Sequence, residues 1–272
     1  MGKMQAGFTG FIPRGADYFS YLEKYAKVGF KVCESGFGIM RAEGDPKDNV
    51  KRVHDLGMKF FTLGASVAGD SYPDLAKLEE QAKLFEVDNV TMYHSSATGW
   101  RFADREMPDP SESMREIEKM NKLCGELKEI GLNFVFHNHD QEFITTINGV
   151  PLFWVMATLV PDLKFELDLA WAHYAGDAPE KIIEQLGSRV AALHVKDYTR
   201  GENYEYKPAR TVTVPRYTTP GTGLVDLQLC FAAAVKADVP YAIIEQDMQY
   251  NLTHEESATT AYYIMKETGF VE

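Results

Sequence analysis

Apolar residues along this chain fall into short runs separated by amphipathic stretches. Runs over residues 4–11, 30–33, 59–64, 90–93, 134–137, 164–169, 190–195 and 241–244 have the length and bounding turn residues of buried parallel strands. The stretches between and after them predict helices over 17–28, 45–56, 72–85, 111–130, 150–159, 178–186, 227–237 and 255–268. In the first helix Tyr18, Tyr21, Leu22 and Tyr25 share one face by their i, i+3, i+4, i+7 spacing. Gly57 and Gly131 stand where the second and fourth helices should stop. One strand and one helix recur about every 30 residues, the size of a βαβ unit. The pattern therefore predicts a single α/β domain over residues 1–272, a (β/α)8 TIM barrel. There is no linker, low-complexity tract or internal sequence repeat.

Four of the runs end in residue types that bind metals: FVFHNH (134–139), FELD (165–168), ALHVKD (192–197) and IIEQD (243–247). A buried strand has no reason to end in imidazole or carboxylate unless something there needs it. Such groups at several strand ends are what a divalent cation in a barrel mouth requires. Asp168, His194 and Glu245 close the sixth, seventh and eighth strands, and the fifth supplies His137 or the slightly later Glu142. This donor set suits Mn²⁺, Mg²⁺, Co²⁺ or Zn²⁺. Taken singly, each has an ordinary reading: Asp168 as a helix cap, Glu245 as the partner of an arginine, His194 as a satisfied buried histidine. Glu166 shares parity with Asp168, so either it fills a polar layer inside the barrel or the strand ends in a bulge.

Composition narrows the partners. The chain has 272 residues, 45% of them hydrophobic, and a formal net charge of −12. That charge argues against nucleic acid and against an anionic membrane surface. A neutral sugar-like substrate fits better. Three widely spaced cysteines, Cys33, Cys124 and Cys230, point to a reducing, cytoplasmic compartment, with an export signal removed upstream of Met1 left open. No run reaches the length of a membrane span. Two connections, 95–110 and 198–222, are long enough to cover the barrel mouth as lids. Arg101, Arg210 and Arg216 in them could meet a phosphate, but no glycine-rich phosphate cradle accompanies them.

The segments FHNHDQEF (136–143), DLAW (168–171) followed by Ala175 and Gly176, HVKD (194–197), GTGLVD (221–226) and EQD (245–247) resemble the sugar phosphate isomerase/epimerase family. That family lies in the xylose-isomerase-like TIM-barrel superfamily, with inosose dehydratases, ketose 3-epimerases and endonuclease-IV-like proteins. The resemblance runs from about Asp17 to Gly269. It implies one divalent metal held by Asp168, His194, Glu245 and a fifth-strand residue. His137 stands where many relatives have glutamate, with Glu142 the other candidate. It further implies an isomerase or epimerase that removes a C–H proton from a sugar or keto-sugar through a metal-stabilised enediolate. Glu245 would work on one face, with His139 and Glu142 close to the other and Lys196 as an electrophile or acid. Trp171, His173 and Asp247 follow as substrate-side residues. A mixed His/Glu pair equally suits a lyase or dehydratase acting on a keto-inositol or 3-keto-glycoside. A sugar-binding barrel without catalysis is the remaining reading. Relatives are commonly dimers or tetramers, which implies a homo-oligomer.

Overall fold

The computed structural model describes residues 2–97, 109–205 and 213–272. Eight strands close a parallel barrel: Gln5–Phe8, Val32–Ser35, Lys59–Gly64, Asn89–Met92, Asn133–His137, Lys164–Asp168, Val190–Val195 and Tyr241–Ile244. Consecutive strands are neighbours, and the first pairs with the last from Gln5↔Tyr241 to Phe8↔Ile244. Each strand is followed by at least one helix, as the alternation predicts. No helix among the described residues is long and apolar enough to cross a membrane.

Strand pleating sorts the side chains. Cys33, Phe134, Phe136, Phe165, Leu167, Leu193, Val195, Ala242 and Ile244 point outward and join the large core between barrel and helices. Val32, Phe61, Val135, Ala192 and Ile243 point inward and form a separate apolar plug in the barrel. Two residues further along four of these strands, on the same inner face, stand Glu34, His137, His194 and Glu245. The period of the strand thus turns a dry plug into a polar layer one step nearer the carboxyl ends.

The helices begin where short polar side chains satisfy free backbone amides. Asp17 accepts from the amides of Phe19 and Ser20 at the start of Tyr18–Val28, and Asp74 does the same for Leu75–Phe85. Thr253 and Glu256 form a reciprocal capping box for His254–Glu267. The first helix buries Phe19, Leu22 and Tyr25, so its inner face is rotated slightly from the tyrosine stripe. Tyr18 is freed to line a groove. Short helices Phe37–Arg41, Gln141–Ile144 and Leu169–Tyr174 add to the predicted set. The last starts because Asp168 Oδ1 accepts from the amide of Trp171 at 2.8 Å, which ends the sixth strand one residue earlier than its apolar run.

The 198–222 connection is an antiparallel ribbon, Asp197–Glu205 with Thr213–Thr218. Its base is tied down by Asp197, whose carboxylate accepts from the amides of Tyr198, Gly221, Gly223 and Val225 at 2.7–3.1 Å. A Cβ on Gly223 would lie 2.3 Å from both Asp197 Oδ1 and the Tyr198 carbonyl oxygen. We predict that Gly223→Ala costs about 2 kcal/mol or more, because the clash falls on fixed backbone and on the anchoring carboxylate. Thermal melting reads the cost. Hydrogen exchange should quicken at Gly221, Gly223 and Val225 first, and unchanged exchange there would refute the account. Arg101 and Arg210 lie outside the described residues. Arg216 has its guanidinium 5.6 Å from the Tyr250 ring centre.

Candidate active site

Ligand-type atoms of His137, Asp168, His194 and Glu245 all lie within 4.8 Å of one another. They come from the ends of the fifth to eighth strands, and a 280 Å³ cavity opens above them. Its lining includes His137, His139, His194, Glu245 and Asp247, together with Thr9, Glu34, Ser35, Tyr93 and His94. His137, Asp168 and His194 are buried, whereas the side chain of Glu245 is 20% exposed and faces the cavity.

A second group, Glu34, Glu166 and His194, shares the His194 ring. His194 Nε2 is 3.1 Å from Glu166 Oε1 and 3.4 Å from Glu34 Oε1, while its Nδ1 is 3.0 Å from Glu245 Oε2. The ring therefore stands between Glu245 on one edge and Glu166 and Glu34 on the other, with Glu34 also lining the cavity. Glu166 does fill a polar layer, and pairing with the seventh strand is irregular between Phe165 and Glu166. The irregularity precedes Glu166, and the pairing is regular from Glu166↔Ala192 to Asp168↔His194, so the strand does not end in a bulge.

Charge shapes the site. Lys196 is buried, with Nζ 2.9 Å from Glu245 Oε2, 2.9 Å from Asp247 Oδ2 and 3.4 Å from Asp168 Oδ2. Lys196 and its neighbour Asp197 leave opposite faces of the chain, so Lys196 meets the carboxylates of the mouth while Asp197 serves the ribbon. Burial opposes charge on Lys196, but the three carboxylates outweigh it and hold the ammonium well above its usual range. His194 is likewise opposed by burial and raised by Glu166, Glu34 and Glu245. His137 goes the other way, held well below the usual histidine range by burial and by the nearby His194 and His139. Burial pushes Asp168 up to about 6, against the pull of Lys196. His137 is consequently neutral at pH 7, the form a cation needs.

The donor set fits a divalent cation on one further observation. His137 Nδ1 and Asp168 Oδ2 are buried and have no hydrogen-bond partner. Buried polar atoms are rarely left so without a function for the vacancy. Two imidazoles and two carboxylates form a mixed N/O set of the kind Mn²⁺, Co²⁺ and Zn²⁺ accept.

The remaining sequence candidates divide. His139 faces the cavity, stacked 5.1 Å from His94 and edge-on to His137 at 4.9 Å. Burial and the Lys196 charge bring it down to about 3, so it is a neutral imidazole. Asp247 lines the cavity and holds Lys196. Glu142 is not part of the four-residue group. It sits on the helix Gln141–Ile144, and its Oε2 accepts from the His139 amide at 2.7 Å. Trp171 does not line the cavity; it packs 5.6 Å from His139 and 5.9 Å from Tyr217, forming the wall behind Lys196. His173 is turned away, its Nδ1 2.8 Å from the Tyr198 hydroxyl, so it is not placed to bond a substrate in this cavity.

Glu142 carries a prediction. Burial pushes its carboxyl from 4.5 up to about 7, partly offset by the His139 amide. A folded value above the unfolded one means that the neutral acid is the favoured buried form. Its stabilising contribution is complete below about pH 4.5 and is lost as the pH rises through about 7. Glu142→Gln should therefore stabilise the protein at pH 8, by up to about 3 kcal/mol, and change little at pH 4.5. Denaturant melts at the two pH values test this. A variant that instead loses its metal would show Glu142 to be a ligand.

A closed parallel barrel with ionisable groups gathered at the carboxyl ends of its strands is a TIM barrel with its chemistry in the mouth. The chain belongs to the xylose isomerase-like TIM-barrel family, whose model matches residues 47–260. Among solved structures it is similar to a sugar phosphate isomerase/epimerase from Parabacteroides distasonis, at 17% identity and a TM-score of 0.73 over 100% of both chains. It is also similar to the probable 3-DHS dehydratase of petrobactin synthesis from Bacillus anthracis, at 14% identity and 0.72 over 98% of this chain and 99% of that one. The D-psicose 3-epimerase of Clostridium cellulolyticum, solved with D-tagatose, gives 16% identity and 0.68 over 97% and 99%. At these identities the likeness is one of fold. No curated protein matches.

Proposed function

We propose that the protein is a divalent-metal-dependent isomerase or epimerase of a sugar or keto-sugar. The observation that carries this reading is the four-residue group of His137, Asp168, His194 and Glu245 beneath a small polar cavity. These four residues would hold the cation. Bound there, a divalent ion supplies electrophilic polarisation of a substrate carbonyl, which acidifies the neighbouring C–H.

The chain's own groups supply the rest. Glu245 is ionised, because burial is outweighed by Lys196 and His194, which hold it well below the usual carboxylate range. Its partial exposure lets it accept a proton from a substrate carbon on one side of the cavity. His139, on a different wall, is a neutral imidazole that can hydrogen-bond a substrate oxygen or pass a proton at its free ring nitrogen. Lys196, itself held by Asp247, fixes the Glu245 carboxylate from behind. Glu166 and Glu34 fix the His194 ring from below. Elimination is the second reading, favoured by a fifth-strand imidazole where a second carboxylate would serve epimerisation. A cytoplasmic location, with a soluble sugar as partner, completes the proposal and is consistent with three buried, unpaired cysteines.

The test couples elemental analysis with exchange. The metal-loaded protein should hold one equivalent of Mn²⁺, Co²⁺ or Zn²⁺, and it should wash deuterium from solvent into one carbon next to the carbonyl of a ketose, inosose or 3-keto-glycoside. Glu245→Gln should slow that wash-in by about 100-fold or more. A loaded protein that binds sugars and exchanges no carbon-bound hydrogen in any of them would be a binding barrel and not an enzyme.

A further inference from the structure

Beside the small cavity lies a groove of 1060 Å³, and Thr9, Glu34 and Ser35 line both. The two spaces therefore meet at the inner ends of the first and second strands. The small cavity is near the lower limit of ordinary ligand sites, about 300 Å³, and the groove is near their upper limit, about 1,000 Å³. A free monosaccharide at the metal group would leave the groove unused.

The groove is shaped by the chain and is not left over between loops. Its floor is apolar, made by Phe8, Ile12, Tyr18, Phe19 and Cys33. Gly38 lets the helix Phe37–Arg41 lie directly on Tyr18, since a Cβ there would fall 2.0 Å from the tyrosine ring. That contact sets Arg41 on one rim, and the loop after the first strand sets Arg14 on the lining as well. Among the described residues, neither arginine makes an ion pair. The other charged groups of the groove are largely committed. Arg52 pairs with Glu23 at 3.0 Å and covers the Phe19 ring at 3.9 Å. Asp17 caps the first helix, and Glu34 turns to His194. Glu43 and the capping carboxylate of Asp17 share the lining with the two free arginines, so the groove keeps two unpaired guanidinium groups in a protein of net charge −12.

We infer that the substrate is a substituted sugar, whose substituent lies in this groove with an apolar or aromatic body against Ile12 and Tyr18 and an anionic group that meets Arg14 or Arg41. The inference rests on the metal-centre reading above, which places the sugar ring in the small cavity. It adds a class: conjugates and glycosides with an acidic apolar portion, ahead of free sugars. Guanidinium groups recognise carboxylate or sulfate by paired hydrogen bonds, and an aromatic floor accepts a flat ring.

Calorimetry on the Mn²⁺-loaded protein tests it with nine probes: the methyl, phenyl and 4-carboxyphenyl β-glycosides of glucose, galactose and xylose. For whichever sugar binds, the phenyl member should bind about tenfold more tightly than the methyl member. The 4-carboxyphenyl member should gain about tenfold again. In an Arg14→Ala, Arg41→Ala double variant the ratio of the phenyl to the 4-carboxyphenyl dissociation constant should fall to about one. That ratio compares two probes on one protein, so a general loss of binding does not mimic it. Equal constants for all three members of a series overturn the groove assignment and leave the metal-centre reading standing. A carboxylate preference that survives in the double variant overturns the role of the arginines. No binding by any of the nine overturns the groove assignment, while deuterium wash-in from a free ketose on the same loaded protein shows separately whether the metal-centre reading stands.

Discussion

Lys196→Met should destabilise the metal-free protein by about 3–5 kcal/mol, the range found when one partner of a buried ion pair is removed. Lys196 Nζ lies within 3.4 Å of carboxylate oxygens from Asp168, Glu245 and Asp247, and its side chain is 1% exposed. Methionine fills nearly the same space, so packing is retained and charge is the variable. What remains is a group of carboxylates facing one another, with only His194 to balance them. A divalent cation brings positive charge to the same oxygens. Excess Mn²⁺ should therefore recover more stability in the variant than in the wild type. Guanidinium melts with and without the ion measure both effects. A variant as stable as the wild type without metal would show that these carboxylates take up protons and have no need of the lysine.

Asp168→Asn should weaken cation binding by about a hundredfold or more while leaving the barrel folded. Asp168 has two separate tasks. Oδ1 accepts from the Trp171 amide and starts the helix Leu169–Tyr174. Oδ2 is the buried oxygen that lacks a hydrogen-bond partner. Asparagine can keep the first task, since its carbonyl oxygen caps a helix about as well as a carboxylate. It cannot keep the second, because the charge is gone and the amide nitrogen repels a cation. Loss of a mere orienting partner already costs about 10–100-fold in metal affinity, and a direct ligand costs at least that. Titration with Mn²⁺ followed by calorimetry gives the affinity, and far-ultraviolet dichroism checks the fold. Unchanged affinity would remove Asp168 from the cation's shell.

The barrel was readable from the sequence because its strands are buried on both faces and carry continuous apolar runs. The third, seventh and eighth strands have the expected bounds: the third opens on the polar Lys59, and the other two follow Arg189 and Pro240. The second strand is displaced. Phe30 belongs to the end of the preceding helix, where Gly29 turns at φ 129° and the Phe30 amide donates to the Tyr25 carbonyl. The pairing begins at Val32, and the polar residue that closes the run is Glu34. The same signal that picked out Asp168 and Glu245 was present there, hidden by a two-residue shift. Tyr93 closes the predicted fourth run and His94 follows it directly, so the signal used at the later strands is present there too, although the strand itself ends at Met92. Thr9 is a small polar residue just past Phe8, and nothing in its type announces a cavity wall. The helix that Asp168 starts carries His173 to Tyr198 and packs Trp171 against His139, so neither residue lines the small cavity itself.

The 198–222 connection stands out in the sequence by its length, and TVTVPRYT (211–218) within it alternates as a strand does. Its pairing is regular from Asp197↔Thr218 to Thr199↔Arg216 and shifts before Tyr204↔Val214. Asp197 fastens the near end by four backbone amides, on the far side of the chain from Lys196. One carboxylate thereby separates two jobs. Insertions, deletions or grafted sequence beyond Thr199 leave the four-amide anchor, the ammonium and its carboxylates in place. For an engineer the anchor is the part to keep and the sequence beyond it is the part to vary.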